Sequence, residues 1–375
     1  MRVTVDRDAI AGALAMAQKY VPNRSTIPVL TTVLLEAADD AVTLTATDLD
    51  RVFTTSVEAK VETAGATAAE AALLTGFAKG AAGDSLDMNL DGSLLRVRCG
   101  RASGRIPTIV AGDFPKVFDK RTADAAFDMD AAALAEMAKA VGYAASEEES
   151  RVYLQGVSWA VHGGRLEHAA TDGRFLSWST MDLPAGASGL KPAIVPAFPV
   201  PAFTGAVRIE FSERCVHFAG TLGDRPASVT SRLIDGTFPD YHRIVRPATE
   251  TATVERRALA DAVARCLPVC ATERTPIDLA HDIEGDLVVR AHGKDGAEVE
   301  TVVEVSGSLF AVTLGAEMLR ATLASFTSEM ITLGFSGVGE AVTFTRPGDR
   351  DRLALIMPVS GRLTQRIGPP RDVAA

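Results

Sequence analysis

Apolar and polar positions along the chain follow two periods in turn. In VTVDRDAIAGAL, FDMDAAALAEM and TVERRALADAV, a short strand gives way at an acidic residue (Asp6, Asp130 or Glu255) to apolar positions three and four apart, which predicts a helix start. Ile10, Ala13, Leu14 and Ala17 then share one helical face. Leu134, Met137, Ala138 and Val141 share another, and Leu259, Ala262, Val263 and Cys266 a third. After each helix the period drops to two, in PVLTTVLLEA, AVTLTATD and RVFTTSVEA, then VYLQGVSWAV, RLEHAATD and RFLSWSTMD, then PIDLAHDI, DLVVRAH and AEVETVVEV. Such β-branched runs predict antiparallel strands joined by short polar turns. A second helix followed by strands is predicted at ALLTGFAKGAAG and at LGAEMLRATLASF. The corresponding middle segment, VPAFPVPAFTGA, holds three prolines, so its helix is predicted to be short or to start late.

The same landmarks return at a fixed spacing. Ala46-Thr47-Asp48 and Ala170-Thr171-Asp172 lie 124 positions apart, as do Gly112, Phe114 and Pro115 from Gly236, Phe238 and Pro239. Ile10, Leu134 and Leu259 follow at offsets of 124 and 125. A period of this kind decides the architecture before any single element does. It predicts three domains, near residues 1–120, 121–247 and 248–375, each a duplicated helix-plus-strands unit. Asp48 and Asp172 are expected to cap equivalent tight turns through side-chain to backbone hydrogen bonds. In the third copy that turn has decayed to AHGKDG.

Composition narrows the class. With 47% hydrophobic and 23% charged residues the chain reads as globular,. Residues 1–20 lack the apolar core of a signal peptide and no run approaches the roughly 18 apolar residues of a membrane span, so a cytoplasmic location and no membrane partner are expected. Cys99, Cys215, Cys266 and Cys270 are too scattered for a disulfide framework,. Cys266 and Cys270 lack the further ligands of a metal site, and neither a metal nor a cofactor is expected. The net charge of −10 argues against gripping DNA over the whole surface,. The predicted helices lean the other way: Arg7, Lys19, Lys79, Lys139, Arg256, Arg257, Arg265 and Arg320 stand against Asp8, Glu136, Glu255, Asp261 and Glu317. No H-E-x-x-H, G-x-S-x-G or G-x-x-x-x-G-K-[ST] motif occurs,. The six histidines are dispersed, and His242 is read as a surface residue; no catalytic residue is assigned.

Seven strings in order resemble the bacterial DNA polymerase III β-subunit, or sliding-clamp, family: RSTIPVL at 24–30, TATDLD at 45–50, GDFP at 112–115, RVYLQG at 151–156, ATDGRFL at 170–176, DGTFPDYHRIV at 235–245 and LALIMPV at 353–359. The resemblance implies an α+β fold of three tandem DNA-clamp domains, with antiparallel sheets outside and two helices inside each, closed into a head-to-tail dimeric ring. It implies a non-catalytic protein that encircles duplex DNA and tethers the polymerase III α subunit, the clamp loader and other proteins carrying a clamp-binding motif. Position by position it assigns a partner-peptide pocket to Leu154, Thr171, Gly173, Leu176, Pro239 and Arg243, and also to Ile244, Ile356, Met357, Pro358 and Val359. It assigns DNA contact to Arg24, Arg151 and Tyr153, and the dimer interface to Ile106 and Val269. Glu147, Glu148 and Glu149 beside Arg151 would repel phosphate.

The chain also departs from the family pattern. Arg274 replaces a pocket aromatic, Met318 a tyrosine, and Gly104 an aromatic of the ring seam, while a tail over 364–375 follows the usual end. The altered pocket and the added tail motivate the alternative of a clamp-like paralogue serving repair or a mobile element.

Overall fold

The computed structural model describes residues 1–118, 122–198, 200–270, 276–282, 284–308, 311–337 and 339–359. Among them are five α-helices: α1 (Arg7–Ala17), α2 (Ala71–Gly80), α3 (Ala131–Val141), α4 (Arg256–Cys266) and α5 (Ala316–Ser325). Asp6 caps α1 by accepting from Ala9 N–H at 2.8 Å, and Asp130 caps α3 by accepting from Ala132 and Ala133. Glu255 stands at the same position before α4 and makes no such bond; its extra methylene carries the carboxylate past the short reach that a cap requires. The predicted faces of α1 and α4 are buried throughout. In α3, Leu134, Met137 and Val141 are buried and Ala138 is half-buried. Lys19 falls in the 3₁₀ turn Gln18–Tyr20 that follows α1.

The middle repeat departs from two helices per domain. Between the strands Ala193–Pro196 and Thr204–Phe211 the described residues form no helix. Pro196 and Pro201 each remove an N–H that a helix would need.

The chain divides into two compact units. The first comprises Met1–Ala135, Pro184–Lys191 and Phe198–Leu233. Its twelve strands form one antiparallel sheet, in the order Arg2–Asp6, Ser85–Asp91, Leu94–Cys99, Ala102–Val110, Gly65–Glu70, Thr32–Ala38, Ala41–Thr47, Arg51–Thr63, Arg225–Arg232, Cys215–Leu222, Thr204–Phe211 and Ala125–Asp130. Arg2–Asp6 also pairs with Arg51–Thr63, so the first eight strands close on themselves. Helix α1 packs on α2 and on the strands Ala41–Thr47 and Arg51–Thr63.

The second unit comprises Glu136–Leu183, Pro192–Ala197 and Ile234–Ala375. A nine-stranded sheet runs Ala193–Pro196, Gly156–His162, Arg165–Thr171, Phe175–Asp182, Arg352–Ile356, Val342–Thr345, Met330–Phe335, Glu250–Glu255 and Val305–Gly307. A four-stranded sheet runs Glu298–Val303, Leu287–His292, Pro276–His281 and Ala311–Gly315. Leu259, Val263, Leu319, Leu323, Phe326 and Phe344 are among the buried side chains of the core that α4 and α5 share with these strands.

Two strand pairings recur at the repeat spacing. Residues 51–55 pair antiparallel with 227–231, and 175–179 pair antiparallel with 352–356. In each seam the fourth strand of one repeat takes the last strand of the next.

The duplicated ATD turns sit at the heads of these seams and share four side-chain to backbone bonds. Asp48 Oδ1 accepts from the N–H groups of Asp50 and Arg51, as Asp172 Oδ1 does from Arg174 and Phe175. Thr47 Oγ1 accepts from Leu49 N–H and donates to Arg51 C=O, and Thr171 Oγ1 does the same with Gly173 and Phe175. The turn requires a left-handed residue after the aspartate, and Gly173 supplies it at φ 90° without steric cost,. Leu49 takes φ 80° in the first copy and carries backbone strain there,.

Candidate functional site

The head of the second seam gathers most of the residues assigned to the pocket. Leu176 lies opposite Leu355 and Phe175 opposite Ile356 in the strand register. The chain then leaves the sheet in an extended course held at two points. Met357 N–H donates to Arg174 C=O at 2.8 Å, and Val359 N–H donates to Thr313 C=O at 2.9 Å. Leu176 and Leu355 pack with buried Ala169 and Tyr241, and Phe238, Val245 and Trp178 close over them half-buried. The segment carrying Pro239, Arg243 and Ile244 is thereby fixed against the strand that carries Thr171 and Leu176.

A third piece arrives from the 3₁₀ segment Glu149–Leu154. Leu154 is buried within it. A Cβ on Gly173 would come 3.2 Å from Arg151 Nη1, and one on Gly236 would come 3.0 Å from Tyr153 Cβ. These two glycines let the segment approach the ATD turn and the start of the 236–245 stretch.

The eleven assigned residues divide by exposure. Leu154, Thr171, Leu176 and Ile356 are buried and form structure beneath the surface. Gly173, Pro239, Arg243, Ile244 and Met357 are exposed, and Pro358 and Val359 are half-buried. Ile244 and Met357 keep 53% and 41% of their surface, so the rim offers uncovered apolar side chains. Arg243 is ion-paired with Asp240 at 2.7 Å. Met318 is half-buried against the core around α4 and α5. Arg274 and the tail 364–375 lie outside the described residues.

Beside these residues lies a polar network with no local sequence signature. Glu167 is buried, and its Oε2 accepts from Tyr241 Oη at 2.7 Å and lies 3.1 Å from His242 Nε2. The His242 ring stacks on His162 at 4.5 Å between centroids. Burial, reinforced by the Glu167 carboxylate, pushes the Tyr241 phenol far above its ordinary value, so the hydroxyl stays a donor. His242 is exposed, as the sequence suggested, and its ring also reaches a buried carboxylate. The Tyr241 and His242 positions stood in the DGTFPDYHRIV string; Glu167, 74 residues from Tyr241, was unmarked because no local pattern joins them.

The residues assigned to DNA stand on two segments of the chain. Arg24 is exposed in the stretch before the 3₁₀ turn Pro28–Thr31. Arg151 lies 3.6 Å from Glu148, so part of its charge is answered within its own loop, while Glu147 and Glu149 are exposed. Tyr153 is 38% exposed. Of the two interface candidates, Ile106 is buried beneath the strand Ala102–Val110, and Val269 is half-buried at the end of the turn Leu267–Val269. Among the described residues no group of three or more His, Cys, Asp or Glu is arranged to hold a metal ion, and no helix is long and apolar enough to cross a membrane.

Comparison with known proteins adds to this geometry. The DNA polymerase III beta subunit N-terminal domain matches residues 1–118, and the central domain of the same subunit matches residues 128–240. The chain is 28% identical to the beta sliding clamp of Caulobacter vibrioides, over 96% of this chain and 100% of that one. It is 27% identical to the beta sliding clamp of Pseudomonas putida, with the same coverage. Among solved structures, it superposes on the Bartonella birtlesii sliding clamp bound to griselimycin with a TM-score of 0.86 at 25% identity, covering 96% and 100% of the two chains. It superposes on the Caulobacter crescentus beta sliding clamp with a TM-score of 0.85 at 27% identity, covering 96% and 99%.

Proposed function

The chain belongs to the DNA polymerase III beta subunit family, and from that premise we propose that it is a DNA sliding clamp, a head-to-tail homodimeric ring that encircles duplex DNA. The ring slides without reading sequence and tethers the replicative polymerase, so that polymerase which would otherwise dissociate stays on its template. The protein supplies topology and docking and carries out no chemistry of its own. The three repeats act as domains 1–120, 121–247 and 248–375, and the location is the cytoplasm. Full-length likeness to beta sliding clamps favours this reading over a paralogue serving repair or a mobile element.

The observation that carries the proposal is the repeated seam. Each in-chain seam joins the fourth strand of one repeat to the last strand of the next. The third repeat's fourth strand, Glu298–Val303, pairs as a strand only with Leu287–His292 among the described residues. Residues 102–107 are the counterparts of 226–231 and bond on one side only, to 94–99. A second copy satisfies both free edges, and two such seams close a ring. Exposed Glu304 would meet exposed Arg98, Arg101 and Arg105, while Glu298 and Glu300 are already paired with Arg290, and Arg96 with Asp91; the remaining opposite charges favour this pairing over two like edges. Ile106 would back the seam from beneath, with Val269 beside it.

Sliding calls for diffuse attraction rather than base readout. Several helix charges are neutralised within the chain, in Arg7–Asp8, Arg320–Glu317 and Glu136–Arg346. Lys79, Lys139 and Arg257 are exposed, and with Arg24, Arg151 and Tyr153 they would give a weak, sequence-independent hold. The test is retention on DNA. Clamps loaded on a closed circle should stay through a high-salt wash and be lost when the circle is cut; equal loss from circular and linear DNA would sink the proposal.

The pocket reading follows from the apolar rim over a fixed floor. A linear peptide with Leu and Phe side chains would cover what remains exposed of Ile244 and Met357, worth about 1 kcal/mol each. Ile244→Asp and Met357→Lys are therefore each expected to weaken such a peptide about tenfold or more in fluorescence anisotropy, with thermal stability unchanged because both positions are exposed. Unchanged affinity in both variants would move the docking site elsewhere.

A further inference from the structure

We infer that the apolar contact of the subunit seam is carried in this chain by helix α2, with Phe77 of one copy packed on the turn Leu267–Val269 of the second. The inference rests on the head-to-tail reading above and names the side chains from which that seam is built.

Three observations lead to it. The first is Gly104, in the middle of the free edge 102–107. A Cβ there would stand 3.4 Å from two ring carbons of Phe77 and 3.2 Å from Val97 Cγ2. The Phe77 ring thus lies over bare backbone, in space that a side chain at 104 would claim. The missing strand side chain and the helix-borne ring are one arrangement.

The second is the surface of α2. Ala71, Leu74, Thr75 and Ala78 face inward. Leu73 and Phe77 are one turn apart on a different face, with Leu73 55% exposed and Phe77 half-buried. An exposed leucine beside a ring at an unpaired strand edge is a surface prepared for cover.

The third is the repeat itself. In the second seam, α5 of the third repeat meets the end of α3 of the middle repeat, where Tyr143 Oη lies 3.2 Å from Thr322 Oγ1. Thr322 is the seventh residue of α5, and Phe77 is the seventh residue of α2. Tyr143 lies in the 3₁₀ turn Gly142–Ala144 that follows α3; the turn that follows α4 is Leu267–Val269. Carried to the dimer, the Tyr143–Thr322 contact becomes Phe77 against Leu267–Val269. An apolar contact would replace a polar one, and the two half-buried partners would cover each other. Along the same edge, a groove of about 520 Å³ beside α4 is lined by apolar Ala258, Val302 and Met330 and by charged Asp261, Arg265 and Glu304 among others; in the dimer Leu73 would cover its apolar part.

The test measures the dimer dissociation constant of the full chain by sedimentation over a concentration series. Phe77→Ala removes the contact from both seams, so a loss of about tenfold or more per seam is expected to compound to at least 100-fold in the constant. Phe77→Ala combined with Gly104→Phe returns an aromatic from the strand side and should recover at least tenfold. Leu73→Asp, at an exposed position, should weaken the dimer without lowering the melting temperature, which keeps the test decisive if Phe77→Ala folds poorly. A wild-type dimer whose constant is unmoved by both Phe77→Ala and Leu73→Asp overturns the inference and leaves the ring standing. A wild-type chain that is monomeric at micromolar concentration overturns the ring as well.

Discussion

Replacing Arg352 with methionine is expected to destabilise the fold by about 3 kcal/mol, one of the largest single-residue effects in the chain. Arg352 is 2% exposed and has no carboxylate partner among its hydrogen bonds. Its guanidinium, which stays charged at any working pH, donates to Ser177 Oγ, Ser325 Oγ and the carbonyls of Ala140, Trp178 and Leu353. It also lies 4.6 Å from the centroid of the Phe326 ring. Ala140 is in the last turn of α3 and Ser325 ends α5, so the negative ends of two helices converge on the cation.

The sign of the effect depends on a balance. Burying a cation is costly, and burial lowers the Arg352 pKa for that reason,; its Nε is also left without a partner. Methionine would relieve that cost while filling much of the volume. Against this stand five donated bonds, several to carbonyls that would be left buried and under-satisfied at about 1–3 kcal/mol each. The loss outweighs the relief. Urea unfolding of the purified variant measures the difference, and a variant as stable as wild type would show that desolvation cancels the whole network. The Arg352 cluster ties together α3, the seam strand Phe175–Asp182 and α5, so a weakened cluster should also loosen the seam that heads the proposed peptide pocket.

The sequence showed the repeat and the helix faces because both are local or periodic. Ile10, Leu14, Leu259 and Val263 announce themselves by spacing, and the two ATD triplets announce two turns that share four side-chain to backbone bonds. The missing second helix of the middle repeat was half legible: the prolines warned of it, but whether three prolines shorten a helix or abolish it depends on what the segment does instead. Arg352, Glu167 and His168 were illegible for a different reason. In a strand an arginine, a glutamate or a histidine usually faces water, and only the tertiary partners, 27 to 212 residues away for Arg352 apart from Leu353, make it internal. Phe77 belongs to the same class. Its place over Gly104 depends on the absence of a side chain, which a pattern of present residues cannot register.

Acid is expected to unfold this protein partly through His168, by about 3 kcal/mol between pH 7.5 and pH 4. His168 sits in the strand Arg165–Thr171 directly opposite Trp159, with the rings edge-on at 4.3 Å. It is 1% exposed, and its Nε2 has no hydrogen-bond partner. Burial alone pushes its pKa down to about 3, against an ordinary value of 6.5. Between those two values the unfolded chain binds a proton that the folded chain refuses, so stability falls as pH drops through 6.5 toward 3 and is unaffected above 6.5. The Arg165–Asp351 pair acts in the same direction, since the hydrogen bond from Arg165 depresses the Asp351 pKa, but it is solvent-screened and contributes less. His168→Leu isolates the buried group. The gap in unfolding free energy between this variant and wild type should shift by about 3 kcal/mol in the variant's favour from pH 7.5 to pH 4, and a gap that stays flat across that range would refute the assignment. The strand that carries His168 also carries Glu167 and Thr171, the floor and turn of the proposed peptide pocket, so peptide affinity should fade in acid together with the fold and be retained at pH 4 in His168→Leu to the extent that its stability is.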